Sequence, residues 1–351
     1  MKTLKLSVLL FATIFLSLQT YALKEEFTKK ITKSFDINKD ATLAVKNKFG
    51  KIHCQNWDKN SIAIEVEITV TASNQDKANK YFDKIDINFD GSSTRVSATT
   101  SFDDNLFSKN NNEISIDYMI SMPASINLEI DNKFGDIILD EVNGSSSIEV
   151  GYGSLKANKL TGDNNDLEIK FSDAFIGYVK NADLELKYSE LEIDEVQSLS
   201  AECKFSEMDL GKVDMITLES GYDDDFIGKV RDMDVEASFS DIEIMSLSEK
   251  LVADCDYGSI KVKEVKSNFK LIDISSSFSD ANIGFNSEAS FRLVATVKMG
   301  DLSYPRNKSR LTEVEITYTS SKYEGLVGDN SDTSSKVLVE AKNSGVNLFY
   351  R

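Results

Sequence analysis

An aromatic residue recurs through the middle of the chain at a nearly constant spacing. Successive members lie 17 to 21 residues apart, and Met299 follows as a non-aromatic tenth member. The nine aromatic members are Phe134, Tyr152, Phe171, Tyr188, Phe205, Tyr222, Phe239, Tyr257 and Phe278. A unit of this length cannot bury its own apolar face, whereas stacked copies align their apolar residues into one continuous core. The repeat therefore predicts a stack of similar layers.

Each repeat has a strand periodicity that changes phase near the aromatic residue. With that residue as position zero, apolar or small residues occupy −4 and −2, and the next apolar positions are +3, +5 and +8, as between Leu184 and Val196. A continuous strand would place +2 and +4 on the inner face. We therefore expect an inward aromatic residue and a bend at the small or polar residues of +1 and +2. The pattern predicts an all-β parallel β-solenoid (β-helix) of about ten rungs, coiled right-handed.

Phe and Tyr alternate strictly over the nine repeats. One explanation is a coil that contains two repeats, which would place Phe and Tyr in separate columns. A coil of one repeat is the other arrangement that the spacing allows.

The flanking segments are expected to cap the stack, because end layers otherwise expose apolar core and open strand edges. The N-terminal flank contains an early copy of the repeat around Phe49, two long alternating stretches and one short helical stretch. The predicted domains are a signal peptide at 1–22, an N-terminal β-rich cap with one short helix at 23–125, β-solenoid repeats at 126–303 and a C-terminal β cap at 304–351.

The first residues are typical of a secretory signal peptide. Lys2 and Lys5 precede an apolar segment, and cleavage is expected near Ala22. The apolar segment is shorter than the roughly 20 residues that a membrane-spanning helix needs. The sequence thus predicts a periplasmic, cell-surface or secreted protein without a membrane span. A net charge of −18 disfavours a nucleic-acid partner.

An acidic residue occupies position +2 in eight of the ten repeats, and we call this set the acidic column. Its members are Asp136, Asp173, Glu190, Glu207, Asp224, Asp241, Asp280 and Asp301. Stacked carboxylates can bind Ca²⁺ or another hard cation, and the candidate ligands are Asp173, Glu190, Glu207, Asp224 and Asp241. The alternative is a column of solvated turn residues, since no established calcium-binding spacing is present. No other cofactor is predicted.

Cysteine and histidine offer little chemistry. Cys54, Cys203 and Cys255 cannot all pair within one chain, and the last two fall at the inward position −2, so buried unpaired thiols are expected. His53 is the single histidine and adjoins Cys54, but neighbours in a strand point to opposite faces. A catalytic or metal-binding role for His53 is therefore disfavoured.

Parallel β-helices also occur in polysaccharide lyases and hydrolases, so a glycan-active enzyme is an alternative. Such enzymes place carboxylates, calcium and basic residues together on one face. Here the acidic residues recur at one structural position, and no repeat carries a long loop that could hold an active site. A regular pattern indicates architecture, whereas catalytic sites usually interrupt one.

The sequence resembles the bacterial putative-adhesin families of secreted β-solenoids, which include auto-transporter adhesin heads. The resemblance lies in the segment from Asn47 to Asn60, in the serial Gly/Ser-Asp corners, and in the closing segments at 323–328, 336–340 and 344–346. It implies a β-solenoid fold and carries over no catalytic residues. The predicted function is a non-catalytic envelope or extracellular module that presents an acidic β face to an unknown protein or glycan. The alternatives are the glycan-active enzyme and a Ca²⁺-binding envelope scaffold.

Overall fold

The computed structural model describes residues 24–103 and 114–351. The expected signal peptide lies outside these residues. The described chain forms one long, unclosed and mostly parallel sheet of 26 strands, which confirms the all-β class. None of its helices has the length and apolar character needed to cross a bilayer.

The N-terminal region contains eight strands and one α-helix. The strands are β1 (Glu25–Asp36), β2 (Thr42–Lys48), β3 (Ile52–Asn56), β4 (Ser61–Ala72), β5 (Ile85–Gly91), β6 (Arg95–Phe102), β7 (Ile114–Met122) and β8 (Asn127–Lys133). Helix α1 (Gln75–Phe82) begins after Asn74, whose side-chain oxygen accepts a hydrogen bond from the Lys77 N–H at 3.0 Å. This cap satisfies one of the free amides of the first turn.

The central strands come from the aromatic repeats. They are β9 (Ile137–Val142), β10 (Ser146–Gly151), β11 (Ser154–Leu160), β12 (Asn165–Lys170), β13 (Asp173–Lys187), β14 (Glu190–Lys204), β15 (Glu207–Gly221), β16 (Asp224–Ser238), β17 (Asp241–Asp256), β18 (Ser259–Val265), β19 (Leu271–Ser277) and β20 (Asp280–Phe285). From the repeat of Phe134 to that of Phe278, each repeat pairs in parallel with the next one in the chain, so that Leu186 lies beside Ile169 and Cys203. One repeat therefore contributes one layer, and the proposed coil of two repeats is wrong.

The C-terminal region adds six strands. They are β21 (Phe291–Lys298), β22 (Asp301–Ser303), β23 (Ser309–Ile316), β24 (Ser320–Val327), β25 (Lys336–Lys342) and β26 (Gly345–Tyr350), with a short 3₁₀ helix at Arg306–Lys308. Spatial order departs from chain order here. Strand β25 lies between β19 and β21, and β26 lies between β20 and β22. The last segment of the chain is thus inserted as a layer of the stack.

The two ends of the stack carry antiparallel strands. At the N-terminal end β4 pairs antiparallel with both β1 and β7, and β5 pairs antiparallel with β6. At the C-terminal end β24 pairs antiparallel with both β21 and β23. Strand β2 joins the stack by pairing with β6 and β8. Strand pairing therefore crosses both domain boundaries predicted from the sequence.

The core is continuous from one end to the other and is formed by the predicted apolar positions. In the layer around Tyr188, the inward residues at −4, −2, +3, +5 and +8 are all at most 5% exposed. Those residues are Leu184, Leu186, Leu191, Ile193 and Val196. The phase change that the sequence predicted is therefore real.

Candidate functional site: an exposed column of stacked rings

Ten aromatic side chains stack face to face in one row along the outside of the sheet. We call this row the aromatic column, and it extends the sequence repeat by one member at the N-terminal end. Its members, in spatial order, are Phe49, Phe134, Tyr152, Phe171, Tyr188, Phe205, Tyr222, Phe239, Tyr257 and Phe278. Neighbouring ring centroids are 4.8 to 5.2 Å apart and neighbouring planes differ by at most 16°.

Every member of the aromatic column has a left-handed backbone, with φ between 51° and 65°. For residues with a Cβ this conformation costs about 1–2 kcal/mol. A ring in the middle of the column stacks on two neighbours, and each aromatic pair contributes about 0.5–1.5 kcal/mol beyond its buried area. The backbone N–H also donates to a carbonyl of the next layer at 2.8–3.2 Å, as from Phe171 to Lys187. Stacking and pairing together offset the backbone strain.

The predicted inward orientation of the aromatic residues is wrong. Nine of the ten are 45–55% exposed, from Phe134 to Phe278. The left-handed residue turns its own side chain outward and shifts the alternation by one, which places +1, +3 and +5 inside. Because Phe and Tyr share a single column, they do not occupy the separate columns that a coil of two repeats would create.

The bend lies at the aromatic residue, and position +1 is buried instead of forming an exposed corner. Ser172 and Ser189 are 5% and 9% exposed. The Ser189 hydroxyl donates to the Lys187 carbonyl at 2.8 Å and accepts from the Ser172 N–H at 3.1 Å. The same pattern recurs in other layers, so these serines bind one layer to the next behind the rings. The predicted exposed bend at these small polar residues is therefore wrong.

The surface that the aromatic column offers consists of ring edges and hydroxyl groups. Each inner ring has both faces covered by its neighbours, and Phe49 also makes an edge-to-face contact with Phe102, with ring centroids 6.0 Å apart. Tyrosine occupies every second position from Tyr152 to Tyr257. At about 4.8 Å per layer, a phenolic group therefore recurs every ~10 Å.

Charged residues line the two sides of the aromatic column. Position −1 carries exposed or half-exposed lysines, and we call Lys133, Lys170, Lys187 and Lys204 the lysine column. On the other side lies the acidic column at +2, of which Asp173, Glu190, Glu207 and Asp224 are exposed. In the layers from Phe171 to Phe205 the site thus consists of an apolar row between a basic and an acidic row, and from Tyr222 onward Gly, Ser or Asp replaces the lysine.

The structure brings the five candidate cation ligands together in one column. Asp173, Glu190, Glu207, Asp224 and Asp241 are register partners in successive parallel strands. Within the described ranges, no group of three or more His, Cys, Asp and Glu side chains is arranged to hold a metal ion. Cation binding along the acidic column stays a prediction.

Thermal unfolding with millimolar Ca²⁺ or with a chelator tests this prediction. A bound cation would stabilise the folded protein by about 2.7 kcal/mol at a concentration 100-fold above its Kd. The melting temperature should then rise with Ca²⁺ and should not rise in a Glu190→Gln, Glu207→Gln variant. A melting temperature that is the same with Ca²⁺ and with chelator contradicts cation binding.

A buried polar cluster interrupts the core in the layer of Tyr222. Ser220, Asp223 and Asp225 occupy inward positions, and the two carboxyl groups are 4% and 3% exposed. The Ser220 hydroxyl contacts an Asp223 oxygen at 3.0 Å and an Asp225 oxygen at 2.7 Å, and the Ser206 and Gly221 N–H groups donate to Asp223. The other Asp225 oxygen, Oδ1, has no hydrogen-bond partner. Burial raises the pKa of Asp225 to about 7. The hydrogen bond from Ser220 lowers this pKa, and the nearby charge of Asp223 raises it.

The three cysteines are buried and unpaired, as predicted. Burial raises the pKa of Cys54 and of Cys255 to about 12 and that of Cys203 further still, so these thiols stay protonated at neutral pH. His53 is half-exposed in β3, next to the fully buried Cys54. The two side chains therefore lie on opposite faces of the strand, as the alternation predicts.

Comparison with known proteins finds seven similar solved chains, two of which are named as adhesion proteins. One is a putative cell adhesion protein from Clostridium sporogenes, at 10% sequence identity over 93% of this chain and 100% of that chain, with a TM-score of 0.20. The other is a putative adhesin from Bacteroides fragilis, at 14% identity over 73% of this chain and 95% of that chain, with a TM-score of 0.32. Similarity at this level transfers no function. No family model matches the sequence, and no curated protein matches it.

Proposed function

We propose that the protein is a non-catalytic, adhesin-like binding module of the cell envelope or extracellular space. The observation that carries this proposal is the aromatic column. Nine half-exposed rings of about 200 Å² each leave roughly 900 Å² of aromatic surface in one row. Exposed apolar patches of more than a few hundred Å² usually mark interaction sites.

The proposal includes the finer architecture expected from the sequence. The stacked layers form a right-handed parallel β-solenoid that holds the rings at fixed spacing, and a signal peptide cleaved near Ala22 directs export. A rigid scaffold suits binding, because the surface is already ordered and association does not have to overcome the entropy cost of ordering it. The acidic face and the lysine column supply the charged rim that usually surrounds an apolar contact.

The geometry favours a protein partner over a glycan. Stacking of a sugar on an aromatic residue needs a free ring face, and the inner rings of the aromatic column have both faces covered. Exposed ring edges and tyrosine hydroxyls instead suit close packing against apolar side chains with occasional hydrogen bonds.

Adhesion of protein-coated beads tests the proposed function. The surfaces to compare are bacterial envelopes, acidic and neutral polysaccharides, matrix protein and the protein itself. A Phe205→Asn, Tyr222→Asn variant removes two central rings and keeps a residue that tolerates the left-handed backbone, as Asn343 does at φ 53°. We expect wild-type beads to adhere to at least one surface and the variant to lose about tenfold or more of that adhesion.

The matched control is Phe226→Asn, which removes an exposed phenylalanine outside the aromatic column. This control should adhere like the wild type, and circular dichroism and thermal unfolding should show that all three proteins are folded. Absence of adhesion to every surface, or equal adhesion of wild type and double variant, would overturn the proposal.

A further inference from the structure

From Phe171 to Phe205 the charges on the two sides of the aromatic column are opposite in sign. In the layer of Phe205, Lys204 lies on one side and Glu207 on the other. The layers of Phe171 and Tyr188 repeat this arrangement with the lysine–acid pairs Lys170/Asp173 and Lys187/Glu190. Three successive layers therefore present a base, an exposed ring and an acid in the same order.

The two rows of charge differ in whether they are already neutralised. Lys170, Lys187 and Lys204 pair with glutamates of position −3 on their own face, for example Lys204 with Glu202 at 2.6 Å. Among the residues that the structure describes, Asp173, Glu190, Glu207 and Asp224 form no ion pair. Their carboxylates recur at roughly 4.8 Å intervals and repel one another. A row of lysines placed opposite them would relieve part of that repulsion, with each lysine shared between the glutamate of its own face and the facing carboxylate.

We propose that the occupant of the aromatic column is a second copy of this chain, related by a two-fold axis parallel to the stack. This inference rests on the proposed function and names the partner of that site. Such an axis keeps the layers in register, because both copies have the same layer spacing, and brings ring edges against ring edges. It also exchanges the two sides of the column, so that each lysine column faces the partner's acidic column.

The opposite orientation is electrostatically worse. A two-fold axis perpendicular to the stack would place each acidic column against the acidic column of the other copy, in antiparallel order. Like charges directly opposite one another oppose association. The parallel arrangement instead places Lys170, Lys187 and Lys204 opposite Asp173, Glu190 and Glu207 of the second copy, twice by symmetry.

The available area is adequate for a stable dimer. The aromatic column exposes roughly 900 Å², and a standard interface buries about 800 Å² per partner. The net charge of −18 opposes association, so the local pairing of lysines with carboxylates decides whether the copies bind.

A charge exchange tests the inference without touching a ring. One variant carries Lys170→Glu, Lys187→Glu and Lys204→Glu, and the other carries Asp173→Lys, Glu190→Lys and Glu207→Lys. Sedimentation velocity over a concentration series is the measurement. We expect the wild type to dimerise at about 10 μM, and each variant alone to dimerise at least about tenfold more weakly, because its two columns now repel those of its own copy.

A one-to-one mixture of the two variants should restore the dimer, since each altered column then faces an opposite charge. A general loss of folding cannot produce this recovery. A wild type that is monomeric up to about 100 μM, a dimer unaffected by either variant, or a mixture no stronger than its components would overturn the inference.

The outcomes also separate the inference from the proposed function. The protein could sediment as a monomer while its beads adhere to a foreign surface through the aromatic column. That result would support the binding module and reject self-association. A dimer restored by charge exchange, from a protein whose beads adhere to nothing, would support self-association and reject the adhesin-like function.

Discussion

We expect Asp225→Asn to stabilise the protein by about 2 kcal/mol or more at pH 8 and to leave its stability nearly unchanged at pH 4. At Asp225 the core column of position +3 holds a carboxyl group between the apolar side chains of Met208 and Ile242. One carboxyl oxygen has no hydrogen-bond partner. Ionisation there places a charge in an environment that cannot solvate it.

The direction of the pH dependence follows from the raised pKa. In the unfolded chain this carboxyl titrates near 3.9, whereas in the folded protein its pKa is about 7. Between these values the folded state holds a proton that the unfolded state has lost, so stability falls as pH rises. A difference of about three pH units corresponds to roughly 4 kcal/mol, and this penalty is complete only above pH 7. At pH below about 4 both states are protonated, and the contribution vanishes.

The measurement is the free energy of unfolding in urea from pH 4 to pH 8 for wild type and variant. Their difference reports Asp225 together with its coupling to the neighbouring Asp223, because the titration of distant carboxyl groups cancels. Asp224→Asn serves as the control, since Asp224 is the exposed neighbour in the same strand. A difference between wild type and Asp225→Asn that is independent of pH would show that this carboxyl group has an ordinary pKa in the folded protein.

The sequence predicted the strands and the core because both depend on local alternation. The inward positions at −4, −2, +3, +5 and +8 follow from counting apolar residues, and stacking repeats that are nearly identical requires parallel pairing. Layers such as those of Tyr188 and Phe205 therefore have the core residues that the pattern predicts. What the pattern could not show was the backbone of the aromatic residue itself.

The orientation of the aromatic column depends on φ, which a list of apolar residues does not contain. Left-handed backbone is ordinarily associated with Gly or Asn, so an aromatic residue there has no local signature. The signal that could have revealed it is the run of inward positions, which is −4, −2, +1, +3 and +5. These positions alternate regularly, every second residue, if the aromatic residue is left out of the count. The serines at +1, such as Ser189, then fall inside, where their hydrogen bonds explain their presence.

The position of the last layer was hidden for a different reason. Asn343 has φ 53° and occupies, between Phe278 and Met299, the position equivalent to the aromatic residue. Its surroundings match the repeat, with Ala341 at −2, Ser344 at +1 and Val346 at +3. Because this copy has no aromatic residue, a search for recurring aromatic residues does not find it. The order of layers in space also cannot be read from the order of repeats in the chain.

We expect two glycines on either side of Tyr152 to respond in opposite ways to the same substitution. Gly153→Ala should destabilise the protein by about 3 kcal/mol, whereas Gly151→Ala should be neutral or stabilising by up to about 1 kcal/mol. A Cβ on Gly153 would lie 2.0 Å from the carbonyl oxygen of Gly135 in the layer below. A Cβ on Gly151 would find its nearest neighbours at 3.8 and 3.9 Å, which is ordinary contact.

The difference arises from the distance between layers, which parallel pairing fixes. At Gly153 the added Cβ would meet a backbone carbonyl oxygen, so relief requires the layers to separate and weakens the stack of Phe134 on Tyr152. At Gly151 the added methyl group restricts the unfolded chain without straining the folded one. The readouts are the midpoint of urea unfolding and hydrogen exchange of the amides between the two layers. Equal stability of the two variants would mean that the layers at this corner can separate at little cost, contrary to the tight backbone contact on which the stacked column depends.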